Sequence, residues 1–179
     1  LRVAEVGTLK VQDSTNILKE FDKVGASTLY PPQYLSEVVV LEDWADEVFI
    51  PVMAYYRWSD DKNFQKFASQ AFAQMPGMMR RFVVPLIRKD FVSRLRNANV
   101  GRIPEAERFE RFNAGLKLIE DRVAKTGFLV GNSPTAADLA FFAPLQIIMA
   151  AKVYQLVPHV EKYPKVLEWM KELEKVALQ

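Results

Sequence analysis

Phe128-Leu129-Val130-Gly131-Asn132-Ser133-Pro134-Thr135-Ala136-Ala137-Asp138-Leu139 decides how this chain is organised. Thr135 and Asp138 have the spacing of a capping box. The threonine hydroxyl can accept from the backbone N–H of residue 138 while the aspartate reaches back to the N–H of Thr135. Two otherwise unpaired helix donors are thereby satisfied. Leu139-Ala140-Phe141-Phe142-Ala143 follows and is apolar all round, so the helix that opens here is predicted to be buried. In such a place a missing cap would be most costly. Capping accounts for Asp138 fully, so this acid is expected to be structural and the segment to touch no ligand.

On either side the chain reads as helix. The capped helix is predicted from Ala136 to about Lys152, with Pro144 bending it, and a last helix after Tyr163-Pro164 should bury Val166, Leu167, Trp169, Met170 and Leu173. Upstream, Pro104 stands at a helix start. Phe109, Phe112, Leu116, Ile119 and Val123 then recur at steps of 3 and 4 until Gly127 stops the helix. Asp60 to Arg96 reads as a long segment interrupted at Pro76-Gly77. Tyr34 to about Ser59 reads as another, with a kink at Pro51.

The first 25 residues differ in texture. Arg2 to Val6 and Thr8 to Val11 alternate around Gly7, the pattern of a short β-hairpin, and Asp13-Ser14 opens a helix carrying Ile17, Leu18 and Phe21 that ends before Gly25. Two strands and one helix of this size cannot bury a core alone, so they are expected to pack on the helical body or on a part of the fold upstream. A start at Leu1 suggests that this is not a natural beginning. The expected organisation is therefore 1–25, a β-β-α unit; 26–33, a linker closed by Pro31-Pro32; and 34–179, an all-helical domain. The fold class is mostly α, α+β overall.

Composition excludes several functions. The 179 residues contain no cysteine and one histidine, which removes disulfides, thiolate ligands, a cysteine nucleophile and a multi-histidine metal centre; no metal is expected. His159 is expected on an exposed loop. No apolar run is long enough to cross a bilayer and no signal peptide opens the chain, so no membrane partner and a cytoplasmic location are expected. Between Arg80 and Arg102 lie seven bases and one acid, a net +6 that leaves −4 for the remainder of a chain of net charge +2. On a helix these bases fall on several faces, so a solvated face or subunit contact is expected and no nucleic acid.

The Phe128-Leu129-Val130-Gly131 approach, the Thr135/Asp138 cap and the closing Tyr163-Pro164…Leu167-Glu168-Trp169 helix together resemble the C-terminal domain of the glutathione S-transferase superfamily. Residues 1–24 resemble the second half of that family's thioredoxin-like N-terminal domain, with Leu1 just after the position of its cis-proline and the first half absent. The resemblance implies a transferase that conjugates or reduces hydrophobic electrophiles with glutathione as co-substrate, in detoxification, as a homodimer. The alternative is a non-catalytic protein-interaction or ligand-binding module of the same fold.

Gln12-Asp13-Ser14 is the candidate glutathione site. A helix N-terminus offers free N–H groups and positive dipole charge to a carboxylate, a serine adds a hydroxyl donor, and an acid beside it can pair with an ammonium group. The resemblance implies that Ser14 holds the γ-glutamyl carboxylate and Asp13 its amino group. The family's catalytic Tyr, Ser or Cys has no counterpart in this sequence, so the catalytic residue is unknown. Tyr55, Arg57 and Trp58 lie on the first long helix, which in the family lines the electrophile site. They are the candidate substrate residues, with core packing as the competing reading.

Overall fold

The computed structural model describes residues 3–6, 9–12, 14–24 and 28–177. The chain is mostly helical. Strands β1 (Val3–Val6) and β2 (Leu9–Gln12) pair antiparallel, from Val3 opposite Gln12 to Val6 opposite Leu9. Helix α1 (Ser14–Val24) follows, then the linker and α2 (Leu35–Trp44), α3 (Ile50–Ser59), α4 (Asp61–Ala71) and α5 (Gly77–Asn97). The order continues with the short α6 (Asn99–Arg102), α7 (Glu105–Thr126), α8 (Ala136–Ala151), the short α9 (Val157–Val160) and α10 (Pro164–Ala177).

The expected kink at Pro51 takes a specific form. Between α2 and α3 the helix widens into one π turn, Ala45–Phe49, in which the N–H of Ile50 bonds the carbonyl of Ala45. Pro51 has no N–H to donate to the carbonyl four residues back, and its ring crowds that carbonyl. A wide turn just before it relieves the clash without ending the helix. The rod from Leu35 to Ser59 therefore stays continuous. At the Pro76-Gly77 pair, by contrast, α4 has ended and α5 begins.

The main core lies where this rod meets α7, α8 and α10. Phe49, in the π turn, stacks on Phe112 of α7 at 4.7 Å and meets Phe141 of α8 edge-on at 5.4 Å. Gly115 of α7 sits under this aromatic group: a Cβ there would come within 2.7 Å of Trp44 and 2.9 Å of Phe49. Gly127 closes α7 in the left-handed region (φ 85°), a conformation that a residue without Cβ adopts at little cost. On α10, Val166, Trp169, Met170 and Leu173 are buried, while Leu167, one residue off that stripe, is half-buried. A second, smaller cluster of Ala54, Trp58, Phe64 and Val84 joins α3, α4 and α5.

The capping box at the start of α8 is present, and Asp138 does more than cap. One carboxylate oxygen accepts from the N–H and hydroxyl of Thr135, both at 2.9 Å. The other accepts from the N–H of Leu129 at 2.9 Å and from the indole N–H of Trp169 on α10 at 3.0 Å. The side chain has no exposed surface. Burial pushes its carboxyl above the ordinary carboxylate range, against the four bonds that pull it down. The N–H of Ala136, another first-turn donor, bonds the carbonyl of Leu29, so the linker also docks on this helix start.

His159 corrects an expectation. It sits in α9, half-buried, rather than on an exposed loop. Its ring stacks on Phe109 at 4.6 Å, and Nδ1 lies 2.8 Å from the side-chain oxygen of Asn113. The two prolines around it suggested an open connection, but Val157 and Val160 turn that connection into a docked helix.

Replacing Asp138 by Ala strands three N–H donors and a hydroxyl. The expected loss in urea unfolding is about 3–5 kcal/mol, against about 1 kcal/mol for Thr135→Ala. Burial, with Lys162 nearby, holds the His159 imidazole below its ordinary value of 6.5. The unfolded chain therefore takes up the proton first, and folding stability should fall as pH drops through that ordinary value. The urea midpoint is expected to decline between about pH 7.5 and about pH 5.5, and the decline should be reduced in His159→Phe, which keeps a ring against Phe109.

Candidate functional site

Where α1 lies against the helical domain there is a cleft of about 480 Å³. Ile17 and Leu18 of α1 form one wall, Leu139, Ala140, Ala143, Pro144 and Ile147 of α8 another, and Ile50 and Met53 of α3 the apolar part of a third. This volume is within the ordinary range for small-molecule sites. It also explains why α8 is apolar on all sides: Phe141, Leu145 and Ile148 face the core, while Leu139, Ala140 and Ile147 are half-buried along the cleft. Leu139, the last residue of the capped segment that was expected to touch no ligand, lines this cleft. The cap anchors the first turn of a helix that forms a cleft wall.

Two carboxylates complete the lining. Glu42 of α2 is only 4% exposed, and both its oxygens accept from the Tyr30 hydroxyl, at 3.0 and 3.1 Å. Burial first, and the Glu42 charge second, hold the Tyr30 phenol well above its ordinary range, so it stays a donor. No cation pairs with Glu42 among the described residues. Asp46, one turn further along in the π turn, is exposed at the cleft. Among the described residues the lining contains no hydroxyl, thiol or base, and a buried acid at an apolar wall disfavours an anion while accepting a neutral or cationic group.

The sequence reading did not find Glu42. A signal was available, since Val38, Glu42, Ala45 and Phe49 follow helical spacing and the other three are wholly buried. A lone acid on an apolar helix face is either stabilised by a donor or aimed at a site. Here the donor is a tyrosine from the linker, twelve residues back, which no local pattern specifies.

The candidate substrate residues of α3 lie elsewhere. None of Tyr55, Arg57 and Trp58 lines the cleft. Trp58 is buried in the second cluster, with Phe91 at 4.3 Å and Phe67 at 5.0 Å. Arg57 shares a helix face with Ile50 and Met53, but sits one turn further on, with its guanidinium 4.6 Å from the centre of the Phe67 ring. Tyr55 is half-buried beneath the guanidinium of Arg108, at 4.4 Å. Arg108 in turn donates to the carbonyls of Val100 and Ile103, at 3.1 and 2.6 Å. The packing reading describes their surroundings.

Of the candidate glutathione residues, Gln12 ends β2 and Ser14 opens α1, one helical turn before the cleft residues Ile17 and Leu18. Asp13 lies outside the described residues. Among the described residues no group of three or more His, Cys, Asp or Glu could hold a metal ion, and no helix is long and apolar enough to cross a membrane.

Comparison with known proteins agrees with the helical architecture. The family model for the glutathione S-transferase C-terminal domain matches residues 102–172, from the end of α6 into α10. Metaxin-1 of Macaca fascicularis is 24% identical over 115 residues, covering 60% of this chain and 36% of that protein. Metaxin-1 of Homo sapiens is also 24% identical over 115 residues, 25% of its own length. The chain thus spans only part of the curated relatives that it matches. The helices from residue 102 to residue 172 thus match the C-terminal domain of the glutathione S-transferase superfamily.

Proposed function

We propose that this chain is the ligand-holding part of a glutathione transferase-fold protein, organised as a β-β-α remnant of a thioredoxin-like unit (1–25), a linker (26–33) and the helical domain (34–179). Glutathione would bind at the start of α1 through Ser14, Asp13 and Gln12, and an apolar group in the adjoining cleft. The observation that supports this most is the juxtaposition itself. The helix that Ser14 opens supplies, one turn later, a wall of an apolar cleft whose other walls belong to the family's helical domain. Conjugation or reduction of hydrophobic electrophiles would then be the activity of the whole protein, as a homodimer in the cytoplasm. None of the described residues lining the cleft can lower a thiol pKa, so no residue is assigned as the thiol-activating group.

A second reading has its own observation. Glu42, which no cation pairs among the described residues, places a buried carboxylate at the cleft, which disfavours a thiolate and favours a neutral or amine-bearing apolar ligand. A non-catalytic ligand-binding module of the same fold needs no thiol chemistry at all.

Two measurements on the full-length protein separate these readings. The first is retention on immobilised glutathione with elution by free glutathione, where Ser14→Ala should weaken binding about tenfold or more, as expected for a lost charge-assisted hydrogen bond. The second is binding of a neutral apolar dye, which Met53→Trp, filling the cleft, should weaken without changing glutathione retention. Dye binding without retention favours the non-catalytic module. Retention unchanged in Ser14→Ala rejects the assigned glutathione site, and absence of both activities rejects both readings.

A further inference from the structure

The outer face of α5 is built unlike any other described surface of the molecule. Met78, Met79, Phe82 and Leu86 are 80%, 54%, 66% and 67% exposed, and at 100° per residue they fall within one arc of about a quarter-turn. The opposite side of α5 does the packing, with Val84 buried against α3 and Phe91 and Leu95 half-buried behind it. Water-exposed clusters of large apolar side chains on this scale mark contact surfaces. The four side chains project from the outward face of the helix.

Charge singles out the occupant. Residues 61–102 contain nine bases and only two acids, Asp61 and Asp90. Both acids are already paired, Asp61 with Arg88 at 2.8 Å and Asp90 with Arg94 at 2.8 Å. Arg80 and Arg81 flank the apolar arc on either side. Lys89 and Arg96 continue it along the helix, where they line a shallow groove with Ser59, Ser93 and Asn97. None of these four bases has a carboxylate partner among the described residues. A second copy meeting this face by a two-fold axis would bring the same cations together, which costs energy. A nucleic acid would use the bases but leave the four apolar side chains in water.

We propose that α5 docks this protein on an anionic membrane surface. Met78, Met79, Phe82 and Leu86 enter the boundary between headgroups and acyl chains, while Arg80, Arg81, Lys89 and Arg96 meet lipid phosphates and carboxylates. An amphipathic helix lying in the interface has this division of apolar and basic positions. The expectation of no membrane partner came from the lack of a spanning segment and a signal peptide, and peripheral docking requires neither. The proposal is independent of what occupies the cleft beside α1.

The test is flotation of the full-length protein with vesicles of phosphatidylcholine and phosphatidylserine in about a 7:3 ratio, against phosphatidylcholine alone. The protein should float with the anionic vesicles only, and less as salt is raised. Phe82→Ser with Leu86→Ser, and separately Arg80→Glu with Arg81→Glu, should each weaken binding about tenfold or more. All of these side chains are exposed, so the urea midpoint should stay unchanged, and Val40→Ser, at an exposed position on α2, should still float. The proposal is overturned if the wild type stays with the soluble fraction, or if either double variant floats as well as wild type. It is equally overturned if Phe82→Ser with Leu86→Ser dissociates a dimer in sedimentation while vesicle binding is unaffected, since the face would then belong to a second copy.

Discussion

Asp138 brings a carboxylate into a place closed to solvent and gives it four donors from three parts of the chain: the loop after α7 at Leu129, the helix start at Thr135, and α10 at Trp169. Removing such a charge from water is costly, and only a full set of well-placed donors offsets that cost. The arrangement therefore acts as a condition on the fold. Leu129, Thr135 and Trp169 must all be in place before Asp138 can be buried, and once it is buried none can leave cheaply. The Leu29 carbonyl, bonded to the N–H of Ala136, extends the same condition to the linker and so towards α1.

The cleft depends on this anchoring and on the π turn before Pro51. Leu139 and Ala140 follow Asp138 directly, so the start of one cleft wall is held by the cap. The opposing side comes from both halves of the rod, Glu42 and Asp46 from before Pro51, Ile50 from its edge and Met53 from after it. Had the proline broken the helix, these residues would belong to separately oriented segments. The wide turn absorbs the missing hydrogen bond locally and keeps them on one continuous element.

How much was legible depended on whether the physics was local. The start of α8 at the Thr135/Asp138 box, the start of α7 after Pro104 and its stop at Gly127 are set by residues within a turn of each other. All three agree with the structure. His159 and the aromatics of α3 were harder. Whether His159 is exposed depends on Phe109 and Asn113, some fifty residues away, and whether Trp58 faces a ligand or a core depends on Phe67 and Phe91 from two other helices. Periodicity can place such residues on a helix face, but it does not say which neighbour covers that face. Glu42 shows the same limit, because its donor Tyr30 comes from an irregular segment with no repeating pattern to read.

The amino-acid order alone determined the start of α8, the bounds of α7, the family resemblance of the helical domain and the concentration of positive charge between Arg80 and Arg102. Caps, proline and glycine act within a few residues, and charge is a property of composition. Only the tertiary structure decided that Asp138 ties three segments together, that the all-round apolar α8 divides its faces between core and cleft, and that Met78, Met79, Phe82 and Leu86 are left in water beside those bases. Burial is a relation between elements distant in sequence. A hydrophobic position has the same appearance in the sequence whether its neighbour is the core, a cleft or solvent.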